Sequence, residues 1–213
     1  VKNYTYNDIA LSIDIDGNTY IGNIDINDEN VDMSALASIT LDNNEKQIDA
    51  TLEVPFINLS QLNLTDKFKD YTLSFMSDIN FAGSDIDDTT GSIRIDNFAF
   101  TDSIGNGVAL DYLKIESLRD SIARSITVTS DIINGNITGD FNFQAMKQYA
   151  TNVAAKIFPS IIEADDSHIS TDNTFSYQFR VEANNDILDL LKSPDRLLYP
   201  EKNNGNADIF FGG

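Results

Sequence analysis

Apolar side chains recur at every second position along most of the chain, the period of a strand with one face turned to a core and one to water. Leu11, Ile13 and Ile15 alternate with Ser12, Asp14 and Asp16. Gly17-Asn18 predicts a turn into a second strand ending in Ile24, Asp25 and Ile26. Ala35, Ala37, Ile39 and Leu41 alternate next, and Asn43-Asn44 predicts the following turn. Ile48, Ala50, Leu52 and Val54 then face away from Asp49, Thr51 and Glu53, and Pro55, which has no N–H for a ladder, is expected to end that strand.

Residues 56–70 lose the period and are expected to turn a corner. Strands resume with Tyr71, Leu73 and Phe75 and run on to Ile79 and Phe81; Asp85 to Gly91 reads as a turn. Ile93 and Ile95 are followed by Phe98 and Phe100, a slip in phase that predicts a β-bulge near Asn97. Later strands carry Leu113 and Ile115, Ile126 and Val128, Ile137, then Phe141 and Phe143. Ser77-Asp78-Ile79 and Ser130-Asp131-Ile132 both read as mid-strand phrases.

One segment has another period. Met146, Tyr149, Ala150, Val153, Ala154, Ile157 and Phe158 fall at i, i+3, i+4, i+7 spacing, which predicts an amphipathic helix over about 144–158, closed near Pro159. Phe175, Tyr177, Phe179 and Val181 return to strand alternation. A short helix from an Asn185 cap to Leu191, a polar loop over 201–207 and a last strand from Asp208 complete the reading. The expected fold is mostly β, about ten or eleven antiparallel strands with one helix. It divides into a β segment over 1–163 that ends in the helix and a continuous second β segment over 164–213. The chain begins at Val1 inside a strand-like pattern, so it is expected to be a piece of a longer protein.

Charge narrows the function. The net charge is −20, from 34 acidic and 14 basic residues, a surface that repels nucleic-acid phosphates and anionic headgroups. Most of the acid alternates with Ile or Leu, as on a solvated strand face. Cysteine is absent, which excludes disulfides and thiolate metal sites. No segment has the roughly 18 apolar residues of a membrane-spanning helix.

No catalytic constellation is visible, and an enzyme is not expected. The single histidine, His168, stands on a polar stretch beside Asp165, Asp166 and Ser167, where neighbours in sequence do not make a triad. Asp14-Ile15-Asp16-Gly17-Asn18 begins like a calcium loop, but its glycine is one place early and no glutamate closes it. Asp85, Asp87 and Asp88 form a second acidic turn. Both read as turn chemistry, so neither metal nor cofactor is expected. Gly105-Asn106-Gly107 lacks the third glycine and the strand–helix context of a dinucleotide loop.

What remains is the apolar face. Covered by a second sheet it is the core of a sandwich; on an open, curled sheet it is a trough for acyl chains, and periodicity fits both. Here a resemblance bears on the choice. Gly139-Asp140-Phe141-Asn142-Phe143, the helix, and Ile157-Phe158-Pro159-Ser160 resemble an element of the TamB/AsmA-like proteins of the Gram-negative envelope. In that family a G-D-F/Y-x-F phrase, an amphipathic helix and a Y/F-L-P close follow one another. Ile57-Asn58-Leu59-Ser60-Gln61-Leu62-Asn63-Leu64-Thr65 is similar to its "dL..LnLt" phrase, and Asp85-Ile86-Asp87-Asp88 to Gly91 to its "ldd..G" turn. Leu113-Lys114-Ile115-Glu116-Ser117 through Ser130-Asp131 resembles its "l.i.s…SD" strands; the phrases together span 50–162, about half the chain.

The resemblance implies a long periplasmic protein anchored in the inner membrane, with a hydrophobic β-groove often called a β-taco. It implies phospholipid as cargo and a role in outer-membrane biogenesis, with an outer-membrane barrel assembly protein as partner; no catalytic residue carries over. The anchor helix and C-terminal domain of the full pattern are missing here, so contacts made through them are not implied. The groove lining so implied is Ile13, Ile15, Ile24, Ile26, Ile39 and Leu41, with Leu52, Val54, Leu73 and Phe75. It continues through Ile93, Ile95, Leu113 and Ile115 to Ile126, Val128, Phe141 and Phe143. The alternative is a module without lipid, whose edges assist assembly of barrel or autotransporter proteins by strand addition.

Overall fold

A computed structural model describes residues 4–42, 44–64, 69, 71–85, 87–120, 123–142, 151, 174–183 and 207–212 of the 213. Among them are eleven strands: β1 (Ile9–Asp16), β2 (Thr19–Asp28), β3 (Val31–Asp42), β4 (Glu45–Asn58), β5 (Thr72–Gly83), β6 (Thr90–Thr101), β7 (Gly107–Arg119), β8 (Arg124–Ser130), β9 (Ile133–Asp140), β10 (Thr174–Ala183) and β11 (Ala207–Gly212). The fold is mostly β and antiparallel, as the alternation predicts. The helix expected over 144–158 lies outside the described residues except at Thr151, which is helical. His168, Phe143, the expected boundary at 163/164 and the short helix after Asn185 also lie outside them.

Chain contacts divide the protein into two compact units, Val1–Ser117 and Leu118–Gly213. In the first, β1 to β7 form a meander in which each strand pairs with the next. Two-residue turns serve the first hairpins: Asp16 pairs with Thr19 across Gly17-Asn18, and Gly17 takes φ +58°, a region open to glycine without a Cβ clash. In the second unit β8 pairs with β9, β9 with β10, and β10 with β11.

Two bulges keep the apolar residues in phase. On β6 the register steps from Met76–Asp96 to Ser74–Ala99, and Asn97 sits at φ +52°; this is the expected bulge, and it keeps Phe98 and Phe100 on the face of Ile93 and Ile95. The second corrects the expectation for Pro55. β4 does not end there but runs to Asn58, with the register shifted between Val54 and Ile57. A bulge tolerates the missing N–H, so the strand passes through proline. A further correction concerns Ser130-Asp131-Ile132, which is not mid-strand. Ser130 ends β8, and its buried Oγ accepts the Ile132 and Ile133 amides at 3.2 and 2.8 Å, closing a tight turn into β9. β9 likewise stops at Asp140, short of Phe141.

The described core is small. Val31, Val54, Leu62 and Phe141 are its buried apolar side chains. A sandwich of this length buries one whole face of each sheet. Among the described residues the sheet of the first unit is therefore open, with no second layer over its apolar side.

Candidate functional site

In antiparallel pairing, residues directly opposite share a face, so the register assembles the site. One row across the first unit reads Ile15, Tyr20, Ile39, Ile48, Phe81, Gly91. The next is Ile13, Gly22, Ala37, Ala50, Ile79, Ile93, Ile115, and beside it Leu11, Ile24, Ala35, Leu52, Ser77, Ile95, Leu113. Ile26 stands opposite Ile9 and Met33, Val54 opposite Phe75, and Leu73 opposite Ile57 and Phe100. Leu41, two residues beyond Ile39, shares its face. All fourteen lining residues expected in this unit thus fall on one side.

Their exposure is graded. On β1, Ile9, Leu11, Ile13 and Ile15 are 52–67% exposed, and Tyr20, Ile39, Leu41 and Ile48 are exposed as well. Towards β5 to β7, Leu73, Phe75, Ile93, Ile95, Leu113 and Ile115 are half-buried by one another. A Cβ placed on Gly22, in the middle of the face, would meet nothing within 4 Å. The surface is apolar and continuous, and no described residue covers it, the kind that marks a binding site for apolar material.

The opposite side holds the charge. Arg94 donates to both carboxylate oxygens of Asp96 at 2.7 and 2.6 Å and lies over the Tyr112 ring, while Lys114 pairs with Glu116 at 2.7 Å. Gln47 and Asn80 both donate to Asp49. An open depression of about 340 Å³ lies here, bordered by Leu36 and Met76 and by Asp25, Glu53 and Asp78. Its three carboxylates make it unsuited to an acyl chain.

The second unit repeats the one-sided pattern. Ile126 faces Ile137, which faces Tyr177; Val128 faces Gly135, which faces Phe179. A Cβ on Gly135 would lie 2.3 Å from the Phe179 ring, so glycine is required beneath it, as at Gly91, where a Cβ would lie 2.8 Å from the Phe81 ring. Phe141 is placed differently from the other lining residues. Lying past the end of β9, it is buried, under the Arg124 guanidinium at 5.7 Å and edge-on to Phe175 at 5.9 Å.

Sequence reading left Ile9, Leu11, Tyr20, Ile48, Ile79 and Phe81 out of the lining. Their signal is the same alternation, and register alone shows that they complete the rows. The two acidic turns differ. Asp14 and Asp16 alternate onto the polar side of β1, and Asp85 Oδ1 accepts the Asp87 and Asp88 amides at 2.8 and 3.0 Å. Among the described residues no three acidic or histidine side chains converge as a metal site, and no helix is long and apolar enough to cross a membrane.

A strap closes one end of the first unit. Asp28 is buried and accepts the Tyr4 hydroxyl, the Asn7 amide at 2.9 Å and the Asn30 amide at 2.9 Å. The Tyr4 hydroxyl, with the two amides, holds the carboxyl below its ordinary range, and the same bond holds the Tyr4 hydroxyl above its own. At the β6–β7 turn, desolvation raises Asp102, but hydrogen bonds from Asn106, Ile104 and Gly105 outweigh it and leave the carboxyl below the usual range.

No protein-family model, curated protein or solved structure matches the chain.

Proposed function

We propose that this chain is an acyl-chain-shielding segment of a cell-envelope protein, with its uncovered apolar face as the lipid-bearing surface. The observation that carries the reading is the continuous face that runs from exposed Leu11 and Ile13 to half-buried Ile93 and Ile95, on a chain of net charge −20. Taking one large apolar side chain out of water contributes roughly 1.5–3 kcal/mol when burial is complete. An acyl chain crossing several half-exposed ones thus gains on the order of a few kcal/mol. Acidic groups on the other side keep the segment soluble while this face is occupied.

In this reading the cargo is phospholipid, the setting is the periplasm between inner and outer membrane, and the role is outer-membrane biogenesis. The family resemblance around Gly139 to Phe143 supports the setting, and the open face supports the cargo. No step of bond chemistry is involved.

The test places photo-crosslinking residues at Ile39 on the apolar side and at Ser38 on the polar side. Phospholipid adducts, read by mass spectrometry of the protein purified from a Gram-negative envelope, are expected at Ile39 and not at Ser38. Adducts absent from Ile39, or equal at both positions, would overturn the reading.

A further inference from the structure

One end of the apolar side carries a cation. Lys46 lies at the start of β4, opposite Leu41 on β3 and Gly83 on β5, so the register sets it on the face of the apolar rows. Its neighbours Glu45 and Gln47 fall on the other side, where Gln47 reaches Asp49. The other described cations of the first unit are placed differently. Arg94 and Lys114 stand on the polar side with Asp96 and Glu116, and Lys69 lies between β4 and β5. Lys46 is exposed and makes no ion pair with a described residue.

Large apolar side chains surround it. Leu41 opposite, Ile39 and Ile48 in the next row, and Tyr20 beyond Ile39 are 37–41% exposed. β2, β3 and β4 each pair with a strand on both sides, so this exposure does not come from an edge of the sheet. The following row holds Gly22, Ala37 and Ala50, whose short side chains keep the face low. An ammonium at the end of an apolar surface suits an amphiphile with an anionic head: the charges meet while the tails leave water. Given the lipid-bearing face proposed above, we propose that Lys46 takes the phosphate of the phospholipid and so sets which way the lipid lies. Its acyl chains then cover Leu41, Ile39, Ile48 and Tyr20 and run on towards Ala37 and Ala50. Inorganic phosphate has no tails to offset the repulsion of a chain of net charge −20, so one exposed lysine does not hold it.

The probes are a short-chain phosphatidic acid and the diacylglycerol with the same tails, both below micelle formation, titrated calorimetrically into the full chain at low salt. Lys46→Gln should weaken phosphatidic acid about three- to fivefold, the range of an exposed ion pair, and leave diacylglycerol unchanged. Lys46→Arg should bind both as the unmodified protein does. Lys114→Gln makes the same change in net charge on the polar side and should alter neither affinity. In molar salt the loss caused by Lys46→Gln should shrink, because the site is exposed. The proposal is overturned if Lys46→Gln weakens neither lipid or both alike, or if Lys114→Gln does as much. It is also overturned if inorganic phosphate displaces the lipid beyond a salt control of equal ionic strength. In those cases diacylglycerol still binds and the acyl-shielding reading stands. If neither lipid binds the unmodified protein, that reading falls and the assignment of Lys46 falls with it.

Discussion

Asp28 shows how much one carboxylate can organise. Its depressed pKa means that its contribution to stability is complete above the unfolded value of about 3.8 and is lost as pH falls through the lower folded value. For Tyr4 the sign is reversed: the contribution is complete below about 10 and is lost as pH rises through the raised folded value. Asp28→Asn should therefore lower the urea midpoint near neutral pH, and the gap to the unmodified protein should narrow as pH falls below the ordinary carboxylate value and through the lower folded one. A gap that stays constant through acid would show that the carboxylate is not what holds the strap. Glycines separate in the same way. Gly91→Ala sets a Cβ 2.0 Å from the Asn80 carbonyl oxygen and should cost about 1–3 kcal/mol, whereas Gly22→Ala, with free space above it, should stay within about 0.5 kcal/mol. Both are read from denaturant midpoints. Neither contrast is legible in sequence, where Gly22 and Gly91 look alike.

At the scale of elements, bulges decide which side a residue serves. Side chains alternate, so one residue more or less in a strand sends everything beyond it to the other face. Asn97 absorbs that extra residue at φ +52° and keeps Phe98 and Phe100 with Ile93 and Ile95. The phase slip made this bulge visible in the sequence. Asn97→Val forces a β-branched residue into the left-handed region and should cost about 1–2 kcal/mol, with Asn97→Gly close to neutral; thermal melts check both. The bulge at Pro55 was not legible, because proline at a strand's end and proline in a bulge leave the same local pattern. Only the resumed pairing of Ile57 with Leu73 separates them. Ser130 makes the same point, its hydroxyl closing a turn where the alternation reads straight on.

For the whole molecule, the balance is between an apolar face that no described residue covers and a surface of net charge −20. On the proposed reading, the lipid-free protein should bind an apolar-surface dye at neutral pH and lose that signal when phospholipid is added. Towards the isoelectric point near 4.1 the repulsion between copies vanishes, so the lipid-free form should associate there while the loaded form stays dispersed. Light scattering against pH gives the comparison, and equal association of both forms would count against an exposed apolar face. Much of this was determined by the sequence alone: the strands, the sharing of one side by Ile13, Ile24, Ile39, Leu52 and Ile93, and the acid on the other. Those features follow from the two-residue period of an extended backbone, a local property. Whether a second layer lies over that side is settled by contacts between residues far apart, to which the period is blind. Tertiary structure decided that, among the described residues, no second layer lies over this face, and that Phe141 packs under Arg124 rather than joining the rows.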